Sequence, residues 1–391
     1  MKWLMVTSLA TMIGFGNNVH AESVSWHGYL SQGLTQSIDS DFITDANSVT
    51  AELTELGLVG RYQFNSDLAL VGQVVYLDGG NRYDQGGRLD YLFLDWRLPE
   101  YNQWQAHLHV GRYKNRHWLY SATRDVPQTR ATAVLPQSVY YDAFRDIALG
   151  SDGALIQVTR NTNHGNWEFN WSYGRSPIDT ETTRLLIGPL AKGEVEQDFV
   201  HQLSGYWQTP SLNWRVGVSF LDSDFVYRAS EDDILLDGST SIQRVMFSAM
   251  YFGSSVELSS ELVKEYQHDR GAYHPEYQFR RIGEGGYIQG RYLFNSEFSA
   301  LASFDTYVFN KDDPDGELLE AGSGGLIPAY FGYMDTTTLG LRWDIAPNWR
   351  LQAEHHWVNG ANRTKGILNP EAQVTTRENW RMWALQLMFW F

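Results

Sequence analysis

The chain closes on Trp383-Ala384-Leu385-Gln386-Leu387-Met388-Phe389-Trp390-Phe391. Counting back from Phe391, every second residue is large and apolar: Phe389, Leu387, Leu385 and Trp383. Period 2 places these five side chains on one face of a β-strand. On a soluble sheet edge such a stripe would template aggregation. In a bilayer it faces hydrocarbon, and the strand edge must be closed by pairing, which the first strand of a barrel supplies. The spacing predicts the last strand of an antiparallel transmembrane β-barrel.

The beginning of the chain points to export. Met1 and Lys2 precede an apolar stretch from Trp3 to Phe15, and Val19-His20-Ala21 puts small residues at the −3 and −1 positions of a cleavage site. Residues 1–21 are expected to be a signal peptide and 22–391 the barrel. The stretch is too short to cross ~30 Å of hydrocarbon, and Gly14, Gly16, Asn17 and Asn18 break it. The chain has no cysteine, which excludes a lipoprotein anchor and any disulfide framework.

Aromatic residues make up 14% of the 391 residues, yet the mean hydropathy is negative and no apolar run reaches transmembrane-helix length. A barrel hides its apolar surface in alternation, half of each strand facing lipid and half facing water. The net charge of −16 argues against a nucleic-acid partner.

Sixteen segments read as strands: 24–37, 50–64, 68–78, 88–98, 104–114, 152–160, 166–176, 199–208, 212–222, 240–252, 254–266, 284–294, 297–309, 334–345, 348–359 and 379–391. The gaps alternate. Asn65-Ser66-Asp67, Thr209-Pro210-Ser211, Asn295-Ser296 and Ala346-Pro347 are short and rich in turn residues. The intervening gaps run from about nine to nearly forty residues. That rhythm is an up-and-down barrel with short periplasmic turns and long outer loops.

Several strands show two clean faces. Trp167, Phe169, Trp171 and Tyr173 alternate with Glu168, Asn170 and Ser172, and Trp349, Leu351, Ala353 and Trp357 oppose Arg350, Gln352, Glu354 and His356. Segments 68–78 and 88–98 phase either way. On the polar phase, Arg215, Arg291, Arg342, Arg350 and Glu354 point inward, with Arg61, Glu168, Glu257, Glu261 and Asp344. An interior carrying both signs of charge is not a dry core, because an unpaired buried charge costs several kcal/mol. Two resolutions are water in the bore, or a closed network of ion pairs with a loop plug. The first is preferred, since sixteen strands enclose an aqueous channel.

Strand count, loop alternation and the terminal Phe391 resemble the sixteen-stranded Gram-negative outer-membrane porin superfamily over the whole mature length. The resemblance implies that the barrel-assembly machinery reads the terminal strand. It also implies a homotrimer in the outer membrane, in contact with lipid and lipopolysaccharide. The expected function is passive diffusion of small hydrophilic solutes through a water-filled pore. In porins the loop after the fifth strand folds into the bore as a constriction. Here that loop, 115–151, carries Arg116, Arg124, Asp125, Arg130, Asp142, Arg145 and Asp146, with Tyr120, Tyr140, Tyr141 and Phe144 as apolar bulk. The resemblance places Arg124, Arg130 and Arg145 opposite Asp142 and Asp146 across or along a narrow eyelet, where a transverse field would orient dipolar solutes; the alternative is that these residues pair with each other and fix the loop. Ser138 is placed to cap a short helix over 139–147.

Selectivity is read from the narrowest point, because screening removes interactions beyond ~8 Å at physiological salt. The arginines there favour anionic or zwitterionic solutes. The outer loops are acidic, with one cluster of Asp222, Asp224, Glu231, Asp232, Asp233 and Asp237, another of Asp312, Asp313, Asp315, Glu317 and Glu320, and Asp39, Asp41 and Asp45 in the first loop. Plain solvation is the preferred reading, with loop-bound Ca²⁺ or Mg²⁺ bridging to lipopolysaccharide phosphates as the alternative. No cofactor is otherwise expected. His107 and His109 share a strand face and His355 and His356 are adjacent, but zinc needs three or four converging ligands and no third is evident. No Gly-x-Ser-x-Gly motif appears, so the expectation is no enzyme. A plugged barrel serving as receptor, adhesin or envelope structural protein is the alternative, and a hydrolase the third reading.

Overall fold

The computed structural model describes residues 23–44, 47–83, 85–148, 150–364 and 370–391. The expected signal peptide and Asp45 lie outside them, as does the side chain of Asp146. Sixteen antiparallel strands run in order: β1 (Val24–Ile38), β2 (Thr54–Gln63), β3 (Leu68–Asp78), β4 (Gly86–Arg97), β5 (Trp104–Lys114), β6 (Gly150–Thr162), β7 (Gly165–Arg175), β8 (Glu194–Gln208), β9 (Trp214–Arg228), β10 (Gly238–Phe252), β11 (Val256–Gly271), β12 (Gln278–Leu293), β13 (Phe298–Val308), β14 (Tyr333–Ala346), β15 (Trp349–Gly360) and β16 (Asn379–Trp390). Each pairs with its neighbours in sequence, and β1 pairs with β16 to close the barrel.

The closing ladder carries the opening stretch of sequence. Tyr29 faces Trp390 and Ile38 faces Arg381, and Gly28 and Phe391 exchange backbone hydrogen bonds of 3.1 and 3.0 Å. The Phe391 ring meets Trp26 edge-on at 5.5 Å and covers Gly28, where a Cβ would lie 2.6 Å from it. Leu385, Leu387 and Phe391 are exposed on the outside, while Met382, Ala384, Gln386 and Met388 are buried inside. The predicted phase of this strand is the observed one.

The outward face fixes where hydrocarbon belongs. From the short-turn end, β5 presents Trp104, Ala106, Leu108 and Val110, then Arg112; β9 presents Trp214, Val216, Val218 and Phe220, then Asp222. Eight residues of tilted strand span about 20 Å along the barrel axis, close to the ~25 Å apolar band of membrane barrels. Charges resume at one height: Arg112 with Asp152 at 2.8 Å and Lys264 with Glu284 at 2.7 Å. At the other rim, aromatic pairs such as Trp167–Trp207 and Phe298–Trp343 form a girdle, with centroids 6.2 and 5.6 Å apart.

Strand ends differ from expectation on the long-loop side. β9 continues to Arg228, β11 to Gly271, and β12 begins at Gln278. Above the band both faces meet water, so hydrophobic alternation stops while the hydrogen-bonded ladder goes on. Asp222 and Asp224 therefore belong to β9 rather than to a loop. The ambiguous β3 and β4 are apolar on both faces, with Val74 exposed outside and Val75 and Leu77 buried inside. A register shift beside Gln73 and Val74 adds to the ambiguity.

Candidate functional site in the barrel lumen

The loop joining β5 to β6, here termed L3, folds into the bore. Its first turn is pinned by His117, which is buried and bonded through its ring nitrogens to the Ser204 and Ser172 hydroxyls at 3.0 and 2.9 Å. Trp118, Tyr120, Leu135, Val139 and Tyr140 then pack against Met246, Val263 and Tyr287 of the wall, and all eight are buried. This part of L3 lies against β10 to β12, and with further anchors reaching round to β15 and β2 the loop forms a septum inside the bore.

Four wall carboxylates hold the septum. The Leu119 N–H donates to Glu261 of β11 at 3.0 Å, those of Ala133 and Val134 to Glu354 of β15 at 2.9 and 3.2 Å, and those of Gln137 and Ser138 to Asp305 of β13 at 2.8 and 3.3 Å. Arg130 grips Glu55 of β2 through both terminal nitrogens, one contact at 2.9 Å. Carboxylates so engaged exchange water for charge-assisted hydrogen bonds, roughly twice as strong as neutral ones.

The charges of L3 meet directly. Arg124 contacts Asp142 at 2.5 Å, and Arg82, from the loop after β3, reaches the same carboxylate at 3.2 Å. Asp125 binds Arg145 and also Lys114, the latter at 2.8 Å, while Lys114 reaches Asp90 at 2.6 Å. Arg124, Asp125, Arg130, Asp142 and Arg145 are all buried. Of the two readings of these charges, the contacts follow the second: they touch, and they cross-brace the loop instead of facing each other across an eyelet. Desolvation is the reason, because packed among tyrosines a lone guanidinium would be a buried unpaired charge. Arg116 is half-buried and has no ion-pair partner among the described residues. The helix expected over 139–147 reduces to a 3₁₀ turn, Asp142–Phe144, and one helical turn, Arg145–Ala148. Ser138 gives its hydroxyl to Asp305 instead of capping a helix.

The wall arginines stand where alternation put them. Arg215 pairs with Glu168 at 3.1 Å, Arg291 with Glu257, and Arg342 and Arg350 with Asp344 at 2.7 and 2.6 Å. Glu354 is buried under L3 beside His356 at 2.9 Å. Glu55, Arg82, Asp90, Lys114 and Asp305 were not singled out from sequence. Glu55 and Asp305 each lie on the inward phase of a strand that contains no second acid on that face, so the signal was present but single.

Two cavities flank L3 and share no lining residue. The one on the long-loop side has a volume of about 690 Å³ and is floored by Trp118, Phe144 and Ile147 of L3. The one on the turn side, about 310 Å³, is roofed by Tyr120 and the stretch Gln128 to Ala131. The charged groups lining the first are Arg244, Arg270, Arg281 and Arg363 against Glu265 and Asp269, a balance of +2. Those lining the second are Arg130, Arg291, Arg342 and Arg350 against Glu257, a balance of +3. Counting Asp344 behind Arg342 and Arg350, and Glu55 behind Arg130, leaves +1. Both chambers are positive in a chain of net charge −16.

The histidine pair does find a third neighbour. Asp95 of β4 lies 2.8 Å from His107 Nδ1 and 3.4 Å from His109 Nε2, and the trio converges within 4.8 Å. Arg61 holds the other carboxylate oxygen at 2.9 Å, so a protein cation already neutralises the group. In the acidic loops, Asp233 accepts the Lys192, Gly193 and Leu235 N–H groups at 3.0, 2.9 and 3.0 Å. Asp313 accepts those of Leu318 and Leu319, each at 2.9 Å. These carboxylates are used to fold loops.

No family model and no curated protein sequence matches the chain. Solved structures do. The outer membrane channel DcaP of Acinetobacter baumannii superposes with a TM-score of 0.58 at 11% identity, over 94% of this chain and 97% of that one. OmpT of Vibrio cholerae, in a trimer form, gives 0.56 at 14%, over 94% and 99%. An anion-selective porin from Comamonas acidovorans gives 0.56 at 12%, over 94% and 99%. The chain shares the sixteen-stranded porin fold with them.

Proposed function

We propose that the chain is an outer-membrane porin, a passive diffusion channel for small hydrophilic solutes that favours anions. One observation carries the reading: both chambers of the bore are lined by an excess of arginine inside an otherwise acidic chain. Charge at the narrow part of a low-dielectric tube governs ion passage more than distant loop charge does. The neighbours include a protein described as an outer membrane channel and one described as an anion-selective porin.

Residues 1–21 serve as a cleaved signal peptide, Phe391 and its stripe as the mark read by the assembly machinery, and the assembled form is a homotrimer. The trimer is supported by the trimeric neighbour. Solutes pass L3 on the side where Arg291, Arg342 and Arg350 line the turn-side chamber. Liposomes carrying the purified barrel are expected to swell faster in gluconate than in a cationic solute of the same size. Equal rates would reject the charge preference, and no swelling would reject the channel.

A second reading is favoured by the burial of the L3 ion pairs and the separation of the two chambers: a plugged barrel with a structural or receptor role. A correctly folded barrel that admits no solute would establish it.

A further inference from the structure

The long-loop chamber has a lining unlike that of a funnel for hydrophilic solutes. Leu186, Phe225, Ile242, Phe279, Leu319 and Ile327 are among its wall residues, contributed by several loops and strands. Its volume of about 690 Å³ lies within the range of small-molecule pockets, which combine apolar walls with a few polar groups that fix orientation. An apolar body that displaces water from such walls gains with every methylene it buries.

One guanidinium in that wall has two nitrogens without a hydrogen-bond partner among the described residues. Arg363, in the loop between β15 and β16, is 5% exposed. Its guanidinium is stacked between the rings of Tyr307 and Tyr141, 3.6 and 4.6 Å from their centroids. Stacking satisfies its two faces and leaves its edges. Nε and Nη2 have no hydrogen-bond acceptor among the described residues; together they form the side-on fork that a carboxylate or sulfonate fills with two parallel bonds. The neighbouring acids are taken: Glu265 is held by Arg244 and Arg281, and Asp305 by the L3 backbone. A buried donor without an acceptor is destabilising, and a bound anion would recover that loss.

We propose that the long-loop chamber is a binding site for an amphipathic organic anion, an aromatic or alicyclic body with a carboxylate or sulfonate head, and that Arg363 receives the head group. The apolar body lies over Ile242 and Phe225. Both nitrogens are closed off from solvent, so the head group binds as the guanidinium turns toward the chamber in the plane set by Tyr141 and Tyr307. The inference deepens the anion preference argued above, and rests on that reading only for the passage of the ligand across the membrane.

The test is calorimetric titration of the mature barrel in lipid nanodiscs with three probes: 2-naphthoate, 2-naphthalenemethanol and acetate. Naphthoate is expected to bind at least about tenfold tighter than either of the others, the yield of one charge-assisted pair on one side and of the apolar body on the other. Arg363→Met should weaken naphthoate about tenfold or more and leave the alcohol unchanged. Ile242→Trp, which fills the chamber, should weaken both. Equal affinity for naphthoate and the alcohol overturns the proposal, as does an unaltered naphthoate affinity in R363M. If R363M fails to assemble, the probe series on the unmodified barrel decides alone. Binding needs no conduction: a silent barrel selective for naphthoate keeps the site and loses the channel, whereas a conducting barrel indifferent to it does the reverse.

Discussion

Glu55 and Arg130 show what the charges of the lumen are for. Both are buried, they face each other through two contacts, and Gln386 of the closing strand adds a bond of 3.0 Å to the same carboxylate. Glu55→Gln leaves a guanidinium without its counter-charge, a change that costs about 3–5 kcal/mol. It should appear as a lower unfolding temperature of the detergent-solubilised barrel, and the double variant E55Q/R130M should regain most of the loss. An unchanged midpoint in E55Q would remove the pair from the account. At the chain end, Gly28→Val puts a methyl-bearing Cβ where the Phe391 ring sits, 2.6 Å away. The expected outcome is a reduced fraction of folded, heat-modifiable barrel on gels, partly restored by Phe391→Leu. At this scale the sequence was legible wherever alternation was clean: Arg215, Arg342, Arg350 and Glu354 are inward as read. It was silent on who touches whom. Whether Arg124 faces water or Asp142 depends on the packing of L3, and that is a property of residues more than a hundred positions away.

Loops and strands are the next scale. L3 is held by backbone donors to Glu261, Asp305 and Glu354 more than by its own sequence preferences. Its aromatic content was the legible sign that it is buried; its path was not, because the anchoring acids are single residues on distant strands. The double variant E354Q/D305N removes two anchors and should raise single-channel conductance and protease cleavage within 115–149. Unaltered conductance and cleavage would mean that packing alone holds the septum. The loop after β9 offers a pH test. Burial opposes ionisation of Asp233, but hydrogen bonds from Tyr227 and from the Leu235, Lys192 and Gly193 N–H groups bring its carboxyl down from 3.8 to about 2. A group depressed on folding stabilises fully above its ordinary value and ceases to do so as pH falls through the folded one. Protection of the amides in 229–237, taken relative to their intrinsic exchange rates, should therefore be high above pH 3.8 and fall toward pH 2, with Asp233→Asn poorly protected throughout. Protection that does not change with pH in the unmodified loop would contradict this role.

At the level of the whole molecule, the architecture followed from two periodicities. Period 2 within strands gave sixteen elements and their faces, and the alternation of short turns with long loops gave the hairpin order. Strand ends beyond the apolar band were not legible because hydrogen bonding continues in water where hydrophobic patterning does not. The division of the bore into two positive chambers was also beyond the sequence, since it arises from side chains brought together by closure of β1 on β16. The central claim is that ions cross this barrel past L3, anions in preference. The most direct measurement is single-channel recording of the assembled barrel in a planar bilayer under a KCl gradient. The account predicts stable ohmic steps with a reversal potential of the anion-selective sign; a folded barrel that stays silent, or one that reverses on the cation side, would contradict it.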